Sequence, residues 1–88
     1  MTWTRQTVRD EILKLFVQHA PTGAEVTESS HLVADLGIDS LGVAELLAAI
    51  EDKFNLKIPD ATLGEVDTVA DVTAAIESRL RADGRLEG

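Results

Sequence analysis

The chain has no cysteine and few aromatic residues, and both absences are informative. Without cysteine it has neither disulfides nor a thiolate metal site, which suits a reducing compartment. The aromatics are Trp3, Phe16 and Phe54 alone, so a core must come from Leu, Ile, Val and Ala. No apolar run approaches the roughly 20 residues of a membrane span. The N-terminus lacks a charged stretch followed by an apolar run, so no secretory signal is expected and a cytoplasmic location is. Bases are scarce too: 8 against 16 acids, for a net charge of −8.

The distribution of charge says more than its total. Between Leu15 and Ser78 there are twelve acids and two bases, Lys53 and Lys57. An acidic middle repels nucleic acid and anionic lipid, which need positive charge in the protein, and attracts basic protein surfaces. Hydrophobic residues make up 44% of the chain, enough to exclude compositional disorder. The 88 residues allow one small core. One domain over residues 1–81 is expected, followed by a flexible tail from 82 to 88.

Four apolar stripes have helical spacing, and none alternates as a strand would. The first runs from about Thr4 to Ala20 with Val8, Ile12, Leu15 and Phe16 inward, and Pro21 and Gly23 end it. The second runs from Ser40 to about Phe54, capped by Asp39, with Val43, Leu46, Leu47, Ile50 and Phe54 inward. The third is a single turn after Pro59, weakened by Gly64. The fourth runs from Val69 to about Arg81 with Val72, Ile76 and Leu80 inward; Thr68 caps it and Asp71 takes the capping-box position. Between the first two helices, Leu32, Val33, Leu36 and Ile38 are expected to dock a long loop on the bundle. Within that loop Ser30 is expected to cap a short turn that Gly37 ends.

Ser40, in "DLGIDSLG", admits three readings. A catalytic nucleophile is disfavoured, because the elbow motif is G-x-S-x-G and here the glycine stands three residues before the serine. No general base accompanies it: His19 reads as a helix-end dipole partner and His31 as a surface residue. Simple capping by Asp39 or Ser40 is the structural reading. It leaves unexplained a second apolar strip on the same helix, Leu41, Ala44 and Ala48, edged by Glu45, Glu51 and Asp52. That strip reads either as alanine filling of a helix surface or as a docking face. The third reading is covalent modification. A phosphodiester on a serine in the first turn of a helix sits in the favourable field of free N–H groups and the helix dipole.

"DLGIDSLGVAELLAAIEDKFNLKIPD", Asp35 to Asp60, resembles the centre of an acyl carrier protein. The D-S-L triplet, the preceding L-G, the E-L-L run and the late F-x-x-x-I-P-D follow that family in order. "TVADVTAAIESRL" resembles its last helix, and the first helix does so more loosely. The resemblance implies an all-α four-helix bundle with a long first loop and a short third helix. It implies that Ser40 receives 4′-phosphopantetheine from coenzyme A, within the motif Asp39, Ser40, Leu41, and that the thiol of that arm carries acyl groups as thioesters.

Such a protein has no catalytic residue and no metal. Its partners are a phosphopantetheinyl transferase and acyl-processing enzymes with basic surfaces, such as an acyltransferase or ketosynthase; nucleic acid and membrane are not among them, and a monomer is expected. By position, Glu45, Glu51 and Asp52 match the acids that meet those surfaces, and Leu41, Ala44 and Ala48 match the apolar part of the contact.

Three departures bear on the pathway. Gly42 stands where fatty-acid carriers commonly have an acid, Ala48 is smaller than the usual Met, and Gly64 falls where the third helix continues. They favour a discrete bacterial carrier of polyketide or other specialised synthesis over housekeeping fatty-acid synthesis. A peptidyl carrier, the class that tends to have His before the serine, is disfavoured by Asp39. The alternative from another class is a non-covalent acidic adaptor that keeps the fold and uses the second helix for docking alone.

Overall fold

Thr4 begins the first helix because its hydroxyl accepts the Thr7 N–H at 3.1 Å, while the Thr7 hydroxyl oxygen accepts the Thr4 N–H at 2.9 Å. This reciprocal cap satisfies two donors that a helix start would otherwise leave open. In the computed structural model, which describes residues 2–20 and 25–87, helix α1 then spans Arg5–His19. Helix α2 spans Ser40–Phe54 and α3 spans Val69–Ala82. Thr68 and Asp71 form the expected capping box of α3: Thr68 Oγ1 accepts from Asp71 N, and the Asp71 carboxylate accepts from Thr68 N. The His19 Nδ1 lies 2.9 Å from the Leu15 carbonyl in the last turn of α1, as a helix-end partner should. Pro21 and Gly23, the expected stop of α1, lie outside the described residues.

The expected third helix is a 3-10 helix, Asp60–Gly64, so the described residues hold three α-helices and this turn, not four α-helices. Pro59 presets the backbone at its start but cannot donate to the turn. Glycine at its end adds backbone freedom that works against further winding.

One element was not expected. Trp3–Thr4 (β1) pairs in parallel with Leu86–Glu87 (β2). Residues 82–87 therefore do not run free as a tail. Ala82 completes α3, Gly84 turns the chain at φ +70°, and Arg85 O accepts the Trp3 N–H at 2.8 Å. The Arg85 guanidinium donates to the carbonyls of Phe54, the last residue of α2, and Asn55, its C-cap. The Trp3 ring lies 4.5 Å from that of Phe54, tilted by 51°. Two-residue strands are too short for alternation to show in a sequence.

The core is mostly aliphatic, with Phe16 and Phe54 its largest fully buried side chains. Val8, Ile12 and Phe16 of α1 meet Leu46, Ile50 and Phe54 of α2 and Val69, Val72, Ile76 and Leu80 of α3, all 1% exposed or less. Each buried side chain of this size contributes about 1.5–3 kcal/mol relative to exposure. The one deeply buried hydroxyl on these helices, that of Thr73, donates to the Val69 carbonyl one turn earlier at 3.1 Å.

The described part of the long loop, residues 25–39, is packed. An antiparallel bridge joins His31 to Thr68, Val69 N donates to Ser30 O, and Leu32 N donates to Asp67 O. Leu32, Leu36 and Ile38 dock in the core, but Val33 does not; it is 67% exposed. Ser30 does not cap the following turn. Its hydroxyl oxygen accepts the Thr27 N–H behind it, and Asp35 takes the cap by accepting the His31 N–H at 2.7 Å. Gly37 ends the turn as expected, at φ +68°, with Ile38 N reaching back to Leu32 O at 2.9 Å.

Candidate functional site

The site is the start of α2. The left-handed Gly37 reverses the chain, and buried Leu36 and Ile38 fix the entry into the helix. Asp39 is extended, and its carboxylate accepts the Gly42 N–H at 2.8 Å while its carbonyl accepts the Val43 N–H at 2.9 Å. Asp39 is therefore the N-cap, and Ser40 is the first helical residue. Because the aspartate does the capping, the Ser40 hydroxyl is exposed and makes no hydrogen bond among the described residues. The N–H groups of Ser40 and Leu41 likewise have no acceptor among them. A free hydroxyl beside free helix-end donors suits a phosphodiester anchored at this serine.

Two further carboxylates, Asp35 in the long loop and Asp71 in the first turn of α3, are engaged with backbone. Asp35 is held below its ordinary pKa, first by the His31 N–H and then by the His31 ring, whose Nδ1 is 3.2 Å away. Asp71 is held low by the N–H groups of Asp67 and Thr68. His31 is exposed, as expected, and its ring is paired with Asp35. Among the described residues no group of three or more His, Cys, Asp or Glu side chains could hold a metal ion.

The expected docking residues divide. Leu41, Ala44, Glu45, Ala48 and Asp52 are exposed and recur with helical spacing on one side of α2. Glu51 is half-buried, and its carboxylate accepts the Ile58 N–H at 2.7 Å. It anchors the chain leaving α2 and lines a groove of about 330 Å³ with Ala44, Ala48 and Ile58.

Four of the eight Lys and Arg residues are paired internally. Arg5 pairs with Glu77 at 3.7 Å, Arg9 with Glu28, and Lys14 and Lys53 with Glu11 at 3.8 and 3.6 Å. No described base pairs with Glu45 or Asp52, so these carboxylates face solvent unneutralised. One residue at the site was misread from sequence: Val33, expected in the core, borders the same cleft as Ser40. The signal was available, since one helical turn that buries Leu32 and Leu36 turns residue 33 outward.

The sequence profile of the phosphopantetheine attachment site family matches residues 10–76. The chain belongs to the acyl carrier protein family. It is 44% identical over 70 residues to the acyl carrier protein of Wolinella succinogenes, covering 78% of this chain and 92% of that one. It is 37% identical over 76 residues to the acyl carrier protein of Phenylobacterium zucineum, covering 85% and 96%. A solved Mycobacterium tuberculosis structure assigned as an acyl carrier protein superposes with a TM-score of 0.75 at 28% identity, over 82% of this chain and 97% of that one. As an acyl carrier protein the chain is a carrier and not a catalyst, and its prosthetic group is 4′-phosphopantetheine. Such a carrier meets a phosphopantetheinyl transferase and acyl-processing enzymes. No described helix is long and apolar enough to cross a membrane.

Proposed function

We propose that Ser40 is the attachment residue and that the carrier serves polyketide or fatty-acid biosynthesis. The observation that carries the Ser40 assignment is the division of labour at the helix start: Asp39 caps α2, and the next residue keeps an exposed hydroxyl with no partner among the described residues. In the transfer, Ser40 Oγ forms a bond to the β-phosphorus of coenzyme A. The bond from that phosphorus to the bridging oxygen breaks, 3′,5′-ADP leaves, and the hydroxyl proton passes to a base of the transferase. The thiol supplied by the bound arm holds acyl cargo as a thioester, and this chain's own residues present it.

Leu41, Ala44, Glu45, Ala48 and Asp52 form the docking face for a transferase, acyltransferase or ketosynthase with a basic surface. Three outward features support this: exposure, shared spacing, and carboxylates without intramolecular bases among the described residues. The domain carries the function as a cytoplasmic monomer, with the 3-10 turn standing in the third-helix place of a four-helix carrier bundle. Gly42 and Ala48 favour polyketide or other specialised synthesis.

The test is intact mass after incubation with coenzyme A and a broad-specificity transferase. The parent gains one phosphopantetheine, and Ser40→Ala gains none. A full mass gain on the Ser40→Ala variant would move the attachment to another residue. A parent that gains nothing while docking to carrier-dependent enzymes would favour the non-covalent adaptor.

A further inference from the structure

Three large apolar side chains stand exposed among the described residues: Val17 at 61%, Val33 at 67% and Leu41 at 67%. Val17 lies on α1, but the other two flank Ser40 from different elements. Leu41 follows the serine on α2. Val33 comes from the loop turn and, with Ser40, Leu32, Val43 and Val66, lines a cleft of about 340 Å³. Its outward pose is built in. The same turn that buries Leu32 and Leu36 points residue 33 away from them, and Val33 O accepts the Gly37 N–H at 3.0 Å.

We propose that Val33 is a docking residue for the phosphopantetheinyl transferase, forming with Leu41 a two-sided apolar rim around Ser40 that an apolar surface beside the transferase's coenzyme A site covers. The proposal rests on the Ser40 assignment above. To bring a coenzyme A phosphorus within bonding distance of Ser40 Oγ, a protein must cover the immediate neighbours of that atom, and Val33 shares its cleft. Covering a solvated valine removes apolar area from water. This contribution is independent of salt, unlike that of Glu45 and Asp52, so the two halves of the docking face separate experimentally.

The experiment measures transferase kinetics on the apo carrier with coenzyme A, at low and high salt, for the parent, Val33→Ser, Leu41→Ala and Val17→Ser. Val33→Ser raises KM about five- to tenfold, with kcat within about twofold of the parent and the same ratio at both salts. Val17→Ser, at a similarly exposed valine on α1 outside the Ser40 cleft, matches the parent. Thermal unfolding checks each fold. If Val33→Ser lowers the midpoint, the near-isosteric Val33→Thr replaces it and carries the same expectation.

A Val33 variant that matches the parent while Leu41→Ala raises KM overturns the proposal. So does a Val17→Ser effect as large as that at residue 33. The apo carrier bears no acyl group, so a Val33 that serves only the carrier's own cargo also leaves KM unchanged and overturns it. A parent that gains no phosphopantetheine sinks the Ser40 assignment along with this rim; a modified parent with an insensitive Val33 sinks the rim alone.

Discussion

The Glu51 carboxylate accepts the Ile58 N–H at 2.7 Å, tying the outer half of α2 to the chain that leaves it. Glu45, about a turn and a half earlier, is exposed and has no described partner. Two acids that read alike in the sequence therefore differ: Glu51 is tied to the backbone, and Glu45 is open to the association proposed above. Glu51→Ala strands a half-buried N–H and costs about 1–3 kcal/mol of stability. Glu45→Lys leaves stability within about 0.5 kcal/mol of the parent. It weakens association with a basic transferase at low salt, and the loss shrinks at high salt. Urea unfolding and transferase kinetics at two salt concentrations check both. Equal destabilisation by the two variants would contradict the assignment.

Acid should loosen the turn before α2 and the start of α3. Asp35 accepts the His31 N–H and faces the His31 ring nitrogen, Asp71 accepts the Asp67 and Thr68 N–H groups, and both are held below their ordinary value of 3.8. A depressed folded-state pKa means the charged form is favoured by folding. The stabilisation is present above the unfolded value and is lost as pH falls through the lower folded values. The thermal midpoint should therefore hold near neutrality and begin to drop as pH approaches 3.8, continuing below it. Asp71→Asn should have a lower midpoint at neutral pH and a shallower acid slope. A variant with the parent's slope would place the acid sensitivity elsewhere.

The α-helices were legible because several local signals agreed at each. Asp39 before the Val43, Leu46, Leu47 and Ile50 stripe, and Thr68 with Asp71 before Val72, Ile76 and Leu80, mark start and face together. The serine proposed for attachment stood out for the same reason, since its motif coincides with the cap. What was hidden depends on long-range or backbone partners. The acceptor role of Glu51 points at an N–H seven residues away, and Arg85 meets carbonyls about thirty residues back. The β1–β2 pair has two residues a side and no room for a period. Val33 was misplaced because it was counted by polarity alone, without the angle it makes with Leu32 and Leu36.

Neighbouring substitutions at the start of α2 should separate capping from carrying. Asp39→Ala removes the acceptor of the Gly42 N–H and costs about 0.5–2 kcal/mol. Ser40→Ala removes an exposed hydroxyl with no described partner and should leave the thermal midpoint nearly unchanged while abolishing the mass gain. A Ser40→Ala variant destabilised as much as Asp39→Ala would show that the serine caps the helix after all.

The chain ends should prove part of the fold. Arg85 donates to the Phe54 and Asn55 carbonyls, where α2 finishes with Asn55 in a left-handed conformation at φ 52°. Beside it, β2 pairs with β1 and so holds Trp3 near Phe54. Hydrogen bonds from a charged donor contribute roughly 1.5–3 kcal/mol, and partial exposure reduces this. Arg85→Ala should thus cost about 1–2 kcal/mol. At roughly 4–8 °C per kcal/mol for a domain of this size, that is a readily measured fall in midpoint. Deleting residues 83–88 should cost more, because it also removes the strand partner of Trp3 and the Arg85 O acceptor of its N–H. Trp3 is the one tryptophan of the chain, so its fluorescence reports the contact directly. Its emission should move to longer wavelength in the deletion variant at temperatures where circular dichroism still shows folded helices. An unshifted emission together with an unchanged midpoint would show that the pairing of the termini contributes nothing to the stability of the carrier.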